Sequence, residues 1–311
     1  MNIITPKNMT KREFYTTPLN INNFNRIKKY ILTIWLFIVL FSINAWSQDT
    51  IKVLAVGNSF SIDAVENYLY DLGQADGVIF IIGNLHISSC SLEKHWNNVE
   101  NDKAEYSYRK IDPAGKKTTT PGISLLQGIN DESWDYISFQ QNSANSGLIE
   151  TYSPYLIQLT AYVKKHIANQ KAKFLFHQTW AYAQNSKSDA FPKYNSDQKQ
   201  MYKSIVKASR KAARKAGIRT IIPSGTAIQN GRNSFIGDRF CRDGHHLTFD
   251  LGRYTAACAW FETLSGKSVV GNSFAPTTIT PLEAITVQRA AHQAILKPFT
   301  VTTVRLGINY Q

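Results

Sequence analysis

Two short segments, far apart in the chain, carry residue types suited to nucleophilic catalysis. The first is Val56-Gly57-Asn58-Ser59-Phe60, which closes an apolar, β-branched run and leads at once into a helical pattern. A serine in a tight strand-to-helix turn exposes its hydroxyl, and its backbone N–H is one of the donors that a helix start leaves over. The same turn can thus offer both a nucleophile and a donor to an oxyanion. A serine there can equally act only as a helix N-cap. The second segment is Asp243-Gly244-His245-His246-Leu247, just before the apolar helical stretch 251–264. An Asp three residues ahead of a His on a loop can hold one imidazole nitrogen and fix the tautomer, leaving the other nitrogen to face a hydroxyl. A turn with surface histidines is the plainer alternative, and a metal site using His245, His246 and a carboxylate is another. Adjacent histidines point in different directions, so neither a metal nor an organic cofactor is expected.

The elements around these segments must bring them together. Five short runs read as strands: 51–56, 78–82, 135–140, 173–177 and 219–222. Helical patterns separate most of them, with Ile62, Val65, Leu69 and Leu72 on one face after the first strand and Tyr155, Leu159, Tyr162 and Val163 on one face before the fourth. Such alternation predicts a parallel sheet covered on both sides, an α/β fold in three α/β/α layers. Catalytic groups in such sheets gather beyond the carboxyl ends of the strands, which is where both segments fall. The insertions 93–131 and 182–198 are expected to wall a substrate cleft.

Taken together, GNSF after the first strand, DGHH near the end and the strand order resemble the SGNH/GDSL hydrolase superfamily, over nearly all of 51–299. The patterns IGNLHI, CSLEKHW, HQTWAY and PSGTAIQN look closest to an exported branch of it. The resemblance implies a flavodoxin-like three-layer sandwich with a five-stranded parallel sheet. It implies Ser59 as nucleophile, His246 as general base and Asp243 as the residue that orients it. It also implies an oxyanion site from the N–H groups of Ser59 and Ser89 and a side-chain amide of Gln141 or Asn142, with Gln141 preferred. Ser89 stands where the family has a Gly, and Gly adopts positive φ more readily than Ser. The implied reaction is hydrolysis of an ester, an O-acetyl group on a carbohydrate above others. A lipid or small-molecule esterase and a glycan-binding protein without turnover are the alternatives.

Aromatic and amide residues near these loops suit a sugar ring: Trp180 and Tyr182 after the fourth strand, and Thr226, Gln229, Asn230 and Arg232 after the fifth, with Ser224, Trp96 and Tyr152 as further candidates. Ordinary packing is the competing reading for each, since Tyr and Trp are often buried with one polar contact.

The first 47 residues combine a polar, basic lead with the apolar run 31–43 and Ala45-Trp46-Ser47, the pattern of an export signal. The run falls short of the ~20 apolar residues that span a bilayer, so no stable membrane insertion is expected after cleavage. The catalytic domain is expected over 48–311, in a periplasmic or secreted protein. The chain carries 35 Lys and Arg against 22 Asp and Glu, a net charge of +13. Setting aside the six cations and one acid before Ser47 leaves 29 against 21, or +8. Such a balance could favour an acidic polysaccharide or an anionic surface, with a solvated basic surface as the plainer reading, and Lys203 to Lys215 (KSIVKASRKAARK) reads as one exposed helix face. No aromatic-interleaved nucleic-acid motif accompanies it, and a nucleic-acid partner is not expected. Of Cys90, Cys241 and Cys258, the third reads as a core residue, and the first two lie near the candidate segments, where one disulfide could join them.

Overall fold

A strand covered on both faces must be apolar at consecutive positions, not alternate ones. Strands β1 (Asp49–Gly57) and β2 (Val78–His86) follow that pattern, with unbroken buried runs over 53–57 and 80–85 in which Asn84, bonded to Ser61 and Glu66, is the one polar side chain. The computed structural model describes residues 28–30 and 49–305. Every element below belongs to the unit 48–311. Apart from 28–30, the expected export segment lies outside the described residues. Among those residues no helix is long and apolar enough to cross a membrane.

After β1 come helices α1 (Ser59–Val65) and α2 (Leu69–Ala75), then β2, α3 (Leu92–Glu100), β3 (Tyr106–Ile111), β4 (Lys117–Ile123), α4 (Leu125–Ile129) and β5 (Tyr136–Phe139). The chain continues through α5 (Tyr155–His166), β6 (Lys173–His177), α6 (Gln198–Lys215), β7 (Thr220–Ile222), α7 (Ser224–Arg232), α8 (Leu251–Ser265) and α9 (Pro281–Leu296). The strands form one sheet in the order β4-β3-β2-β1-β5-β6-β7. The five strands expected from the sequence are mutually parallel. The sheet nevertheless has seven strands and is mixed, because the insertion 93–131 adds an antiparallel pair, β3 and β4, beside β2. This corrects the expectation of five strands. In β3, Tyr106, Tyr108 and Ile111 point into the protein, whereas β4 forms the sheet edge and is exposed along nearly its whole length.

Side chains alternate across the sheet. Val53, Ala55, Phe80 and Ile82 pack on one side against α1, α2, α7, α8 and α9, while Leu54, Val56, Ile81 and Leu85 pack on the other against α3, α4 and α5. Helix α6 reaches both cores, the first through Met201 and Ile205 and the second through Ala208 and Ala212. The chain leaves β1 toward β2 on one side and β5 lies on the other, so the strand order reverses at β1. That reversal opens the crevice in which such sheets place their ligands, and Ser59 stands at the carboxyl end of β1.

Candidate active site

The turn after β1 is organised by Asn58, not by Ser59. Asn58 is extended and caps α1, its Oδ1 accepting the Phe60 N–H at 3.0 Å and the Gln140 Nε2–H at 2.8 Å. Its own amide donates to the Cys90 carbonyl at 3.0 Å. With the cap supplied by Asn58, the Ser59 hydroxyl is released from the capping role that the sequence left open. Gly57 is required by crowding: a Cβ there would stand 2.6 Å from Ser61 Oγ and 3.1 Å from Gln140 Cδ. Ser59 itself is half-buried.

The fold brings the second segment to this turn across 187 residues. His246 Nε2 lies 3.0 Å from Ser59 Oγ, and His246 Nδ1 lies 2.7 Å from Asp243 Oδ2. Asp243 Oδ1 also accepts the backbone N–H of His246 at 2.7 Å and of His245 at 3.1 Å. Partial burial pushes the Asp243 pKa up, but these hydrogen bonds and the neighbouring imidazole outweigh it and hold the carboxyl well below the usual carboxylate range. An ionised Asp243 accepts the Nδ1 proton, which leaves the Nε2 lone pair facing the serine hydroxyl. Burial, and then the neighbouring His246, lower the pKa of His245.

Three neighbours hold the histidine loop in place. Trp180 donates its indole N–H to the His245 carbonyl at 2.8 Å and stacks on Phe60 with ring centroids 4.2 Å apart. Ala183 N–H donates to the Gly244 carbonyl at 2.8 Å, and Gly244 has a φ of 87°, where a side chain would be strained. The third neighbour is Asp63, on α1 four residues after Ser59. Its buried carboxylate accepts the Leu247 N–H at 2.9 Å and Arg253 Nε at 2.8 Å, with Arg242 Nη1 at 3.3 Å. Arg242 also donates to the Leu247 carbonyl. Sequence reasoning missed Asp63. Its signal was an acid one helical turn after the serine, together with arginines on both sides of DGHH.

On the β2 side, Ser89 is exposed and has a φ of 54°, the left-handed conformation for which a Gly was expected. Asn142 donates its side-chain amide to the Ser89 carbonyl at 3.1 Å. The preferred amide, Gln141, is differently employed. Its Oε1 accepts from Leu92 N and Asn142 N, and its Nε2 donates to the carbonyl and the hydroxyl of Thr151 at 3.0 and 3.1 Å. Both Gln141 amide hydrogens are thereby taken, which leaves Asn142 as the side chain of the pair nearer Ser89 with a hydrogen to spare.

The six residues expected to line the cleft are buried, and their polar atoms face other parts of the protein. Trp180 lies beneath the histidine loop, and Tyr182 donates its hydroxyl to Ser143 Oγ at 2.9 Å. Thr226 bonds Gln178 and the Pro298 carbonyl; Asn230 bonds the Ala290 carbonyl and Thr302 N. Gln229 contacts Gln198, and Arg232 joins the Ala181 carbonyl and Asp238. These contacts tie the loop after β6 and helix α7 to α9 and the chain's last described residues, so the expectation that the six together line a sugar-binding cleft beside Ser59 is corrected. Ser224 is buried at the end of a polar chain from Asn58 through Gln140 and His177, with His177 Nδ1 2.8 Å from Gln140 Oε1 and Nε2 3.0 Å from Ser224 Oγ. Tyr152 is buried on the Ser146 carbonyl, and Trp96 packs on the second core. All three cysteines are free thiols, and burial pushes Cys90 up to about 12 and Cys241 up to about 11.

Among the described residues, Asp243, His245 and His246 form a cluster with metal-ligand spacing, their ligating atoms within 4.8 Å of one another. Asp243 and His246 of this cluster are the two residues already bonded to each other beside Ser59.

The sequence profile of DUF4886, a domain of unknown function, matches residues 52–294. None of the curated proteins matches the chain. Among solved structures, it is similar to a DUF4886 family protein from Bacteroides uniformis, with 50% identity, a TM-score of 0.81 and coverage of 82% of this chain and 98% of that one. It is more distantly similar to a candidate SGNH hydrolase from Slackia heliotrinireducens, with 19% identity, a TM-score of 0.48 and coverage of 69% and 99%. An acetylxylan esterase from Geobacillus stearothermophilus follows at 12% identity and a TM-score of 0.44, covering 70% and 95%. With the profile match spanning well over half of its length, the chain belongs to the DUF4886 family.

Proposed function

We propose that the protein is an SGNH-type serine esterase that removes small acyl groups, O-acetyl above all, from a carbohydrate. The observation that carries the reading is the Ser59–His246–Asp243 arrangement, 3.0 Å from hydroxyl to imidazole and 2.7 Å from imidazole to carboxylate. Hydrogen-bond reach in this order is what an activated serine requires. The carbohydrate part of the proposal rests on the resemblance drawn from the sequence and on the polar residues at the rim, Ser88, Ser89, Asn142 and Ser143.

His246 Nε2 takes the Ser59 proton as Oγ bonds to the ester carbonyl carbon, and the carbonyl π electrons move to oxygen. In this reading the N–H groups of Ser59 and Ser89 and the Asn142 amide receive that oxyanion. Collapse breaks the bond to the alkoxy oxygen, which leaves with the proton from His246, and an acyl-Ser59 remains. Water then gives a proton to His246 as it attacks; release of the acid returns a proton to Ser59. Throughout, Asp243 keeps the imidazole oriented and balances its charge while it is protonated.

The test is hydrolysis of p-nitrophenyl acetate and of acetylated oligosaccharides by the native protein beside Ser59→Ala. Turnover of both by the native protein, with loss of both in the variant, is expected. Equal rates in the two proteins would remove Ser59 from the chemistry, and turnover of the aryl ester alone would remove the carbohydrate.

A further inference from the structure

From residue 198 to residue 237 the chain carries nine Lys and Arg and no Asp or Glu. Most of these cations lie on α6, where Lys199, Lys203, Lys207, Arg210 and Arg214 follow at steps of four, four, three and four. Those steps keep them on one helix face, spaced by about 6 Å over roughly 22 Å of axis at 1.5 Å per residue. All five are exposed, and none has a carboxylate partner among the described residues. A solvated face would need nothing more, but this one borders two hollows.

The first hollow, about 490 Å³, lies between α6 and Phe299, and Arg210 sits over the Phe299 ring at 4.9 Å. The second, about 610 Å³, continues past Tyr202, Lys203 and Phe299 toward Gln229 and Arg232. The acid lining it, Asp238, is paired with Arg232 at 2.8 Å and with Gln198 at 2.9 Å, so its charge is already met. Neither hollow is lined by Ser59 or His246.

We infer that this groove binds an anionic polysaccharide, a strand bearing about one carboxylate per sugar. The site is separate from Ser59 and does not depend on the esterase reading. A row of cations about one sugar length apart matches a chain with one charge per ring, and Phe299, which lines both hollows, adds apolar surface for the sugars. A membrane surface fits less well, because peripheral helices bury large apolar side chains in the lipid and every exposed residue of α6 is Lys, Arg or Gln.

Binding of fluorescent polygalacturonate oligomers to the full chain tests the assignment, with phosphatidylglycerol vesicles and single-stranded DNA as competitors. Lys203→Glu/Lys207→Glu/Arg210→Glu is expected to weaken binding at least tenfold. Lys164→Glu/Lys165→Glu/Lys171→Glu, the same charge change on exposed lysines elsewhere, should change it less than twofold. Phe299→Ala, which alters no charge, should weaken it several-fold. The proposal is overturned by absence of binding, by equal losses in the two charge variants, by an unchanged Phe299→Ala, or by vesicles or DNA that compete at lower concentration than unlabelled polygalacturonate.

Discussion

Asp243 links the chemistry of the site to its pH response. Its folded-state pKa lies below the unfolded value, so its contribution to stability is whole above about pH 4 and drains away as pH falls toward the folded value. Asp243→Asn retains the shape but offers Nδ1 an amide in place of a carboxylate, and turnover should drop by roughly 10³ to 10⁴ with circular dichroism unchanged. A drop of less than tenfold would mean that Asp243 does not orient the base. Ser89 invites the opposite kind of change. At its φ of 54°, glycine relieves a strain of about 1 kcal/mol, so Ser89→Gly should raise the unfolding midpoint while activity is kept. Lower stability in that variant would count against the strained conformation. The proximity of Ser59, His246 and Asp243 could be expected only by taking the two segments together, since each alone has a plainer reading as a helix cap or a surface turn. Trp180, Tyr182, Thr226, Gln229, Asn230 and Arg232 were misread because residue type does not say which way a polar group faces. Their partners, among them Pro298, Ala290 and Thr302, are distant in sequence.

Between elements, the decisive contact runs from α1 to the histidine loop. Asp63 and Ser59 leave the same short helix, so the carboxylate that holds Leu247 also fixes the distance from the serine to the imidazole. Asp63→Ala would orphan the Leu247 N–H and leave Arg253 without its carboxylate, a loss of about 3 kcal/mol in denaturant unfolding. Asp63→Asn keeps an acceptor for Leu247 and should lose less stability. In that variant kcat should fall by about 10² with little change in KM, as expected when a base is displaced and substrate binding is not. Unchanged kcat in a folded Asp63→Asn protein would assign Asp63 to stability alone. The five parallel strands could be read from the sequence because burial on both faces demands consecutive apolar residues. The β3–β4 pair escaped because β4, Lys117–Ile123, is polar and exposed; the inward Tyr106 and Tyr108 were the readable half of the hairpin.

At the scale of the whole molecule, two buried histidines should make the fold acid-labile. Burial drives His95 and His177 down to about 3, so each stays neutral in the folded state. The unfolded chain protonates them near pH 6.5, so stability is whole above that value. It falls as pH drops toward 3, by about 1.4 kcal/mol per pH unit for each histidine. In denaturant unfolding between pH 4 and 6 these two histidines should therefore contribute an uptake of about one proton each, so that the total falls by about one in His177→Gln. A stability that is flat over that range would contradict the burial of both rings.

The most direct measurement for the esterase account is labelling of the full chain with a fluorophosphonate, followed by peptide mass mapping. An activated Ser59 gives one adduct, on its own hydroxyl, formed at least a hundredfold more slowly in His246→Ala. An unlabelled Ser59, or labelling at the same rate without the imidazole, would contradict it.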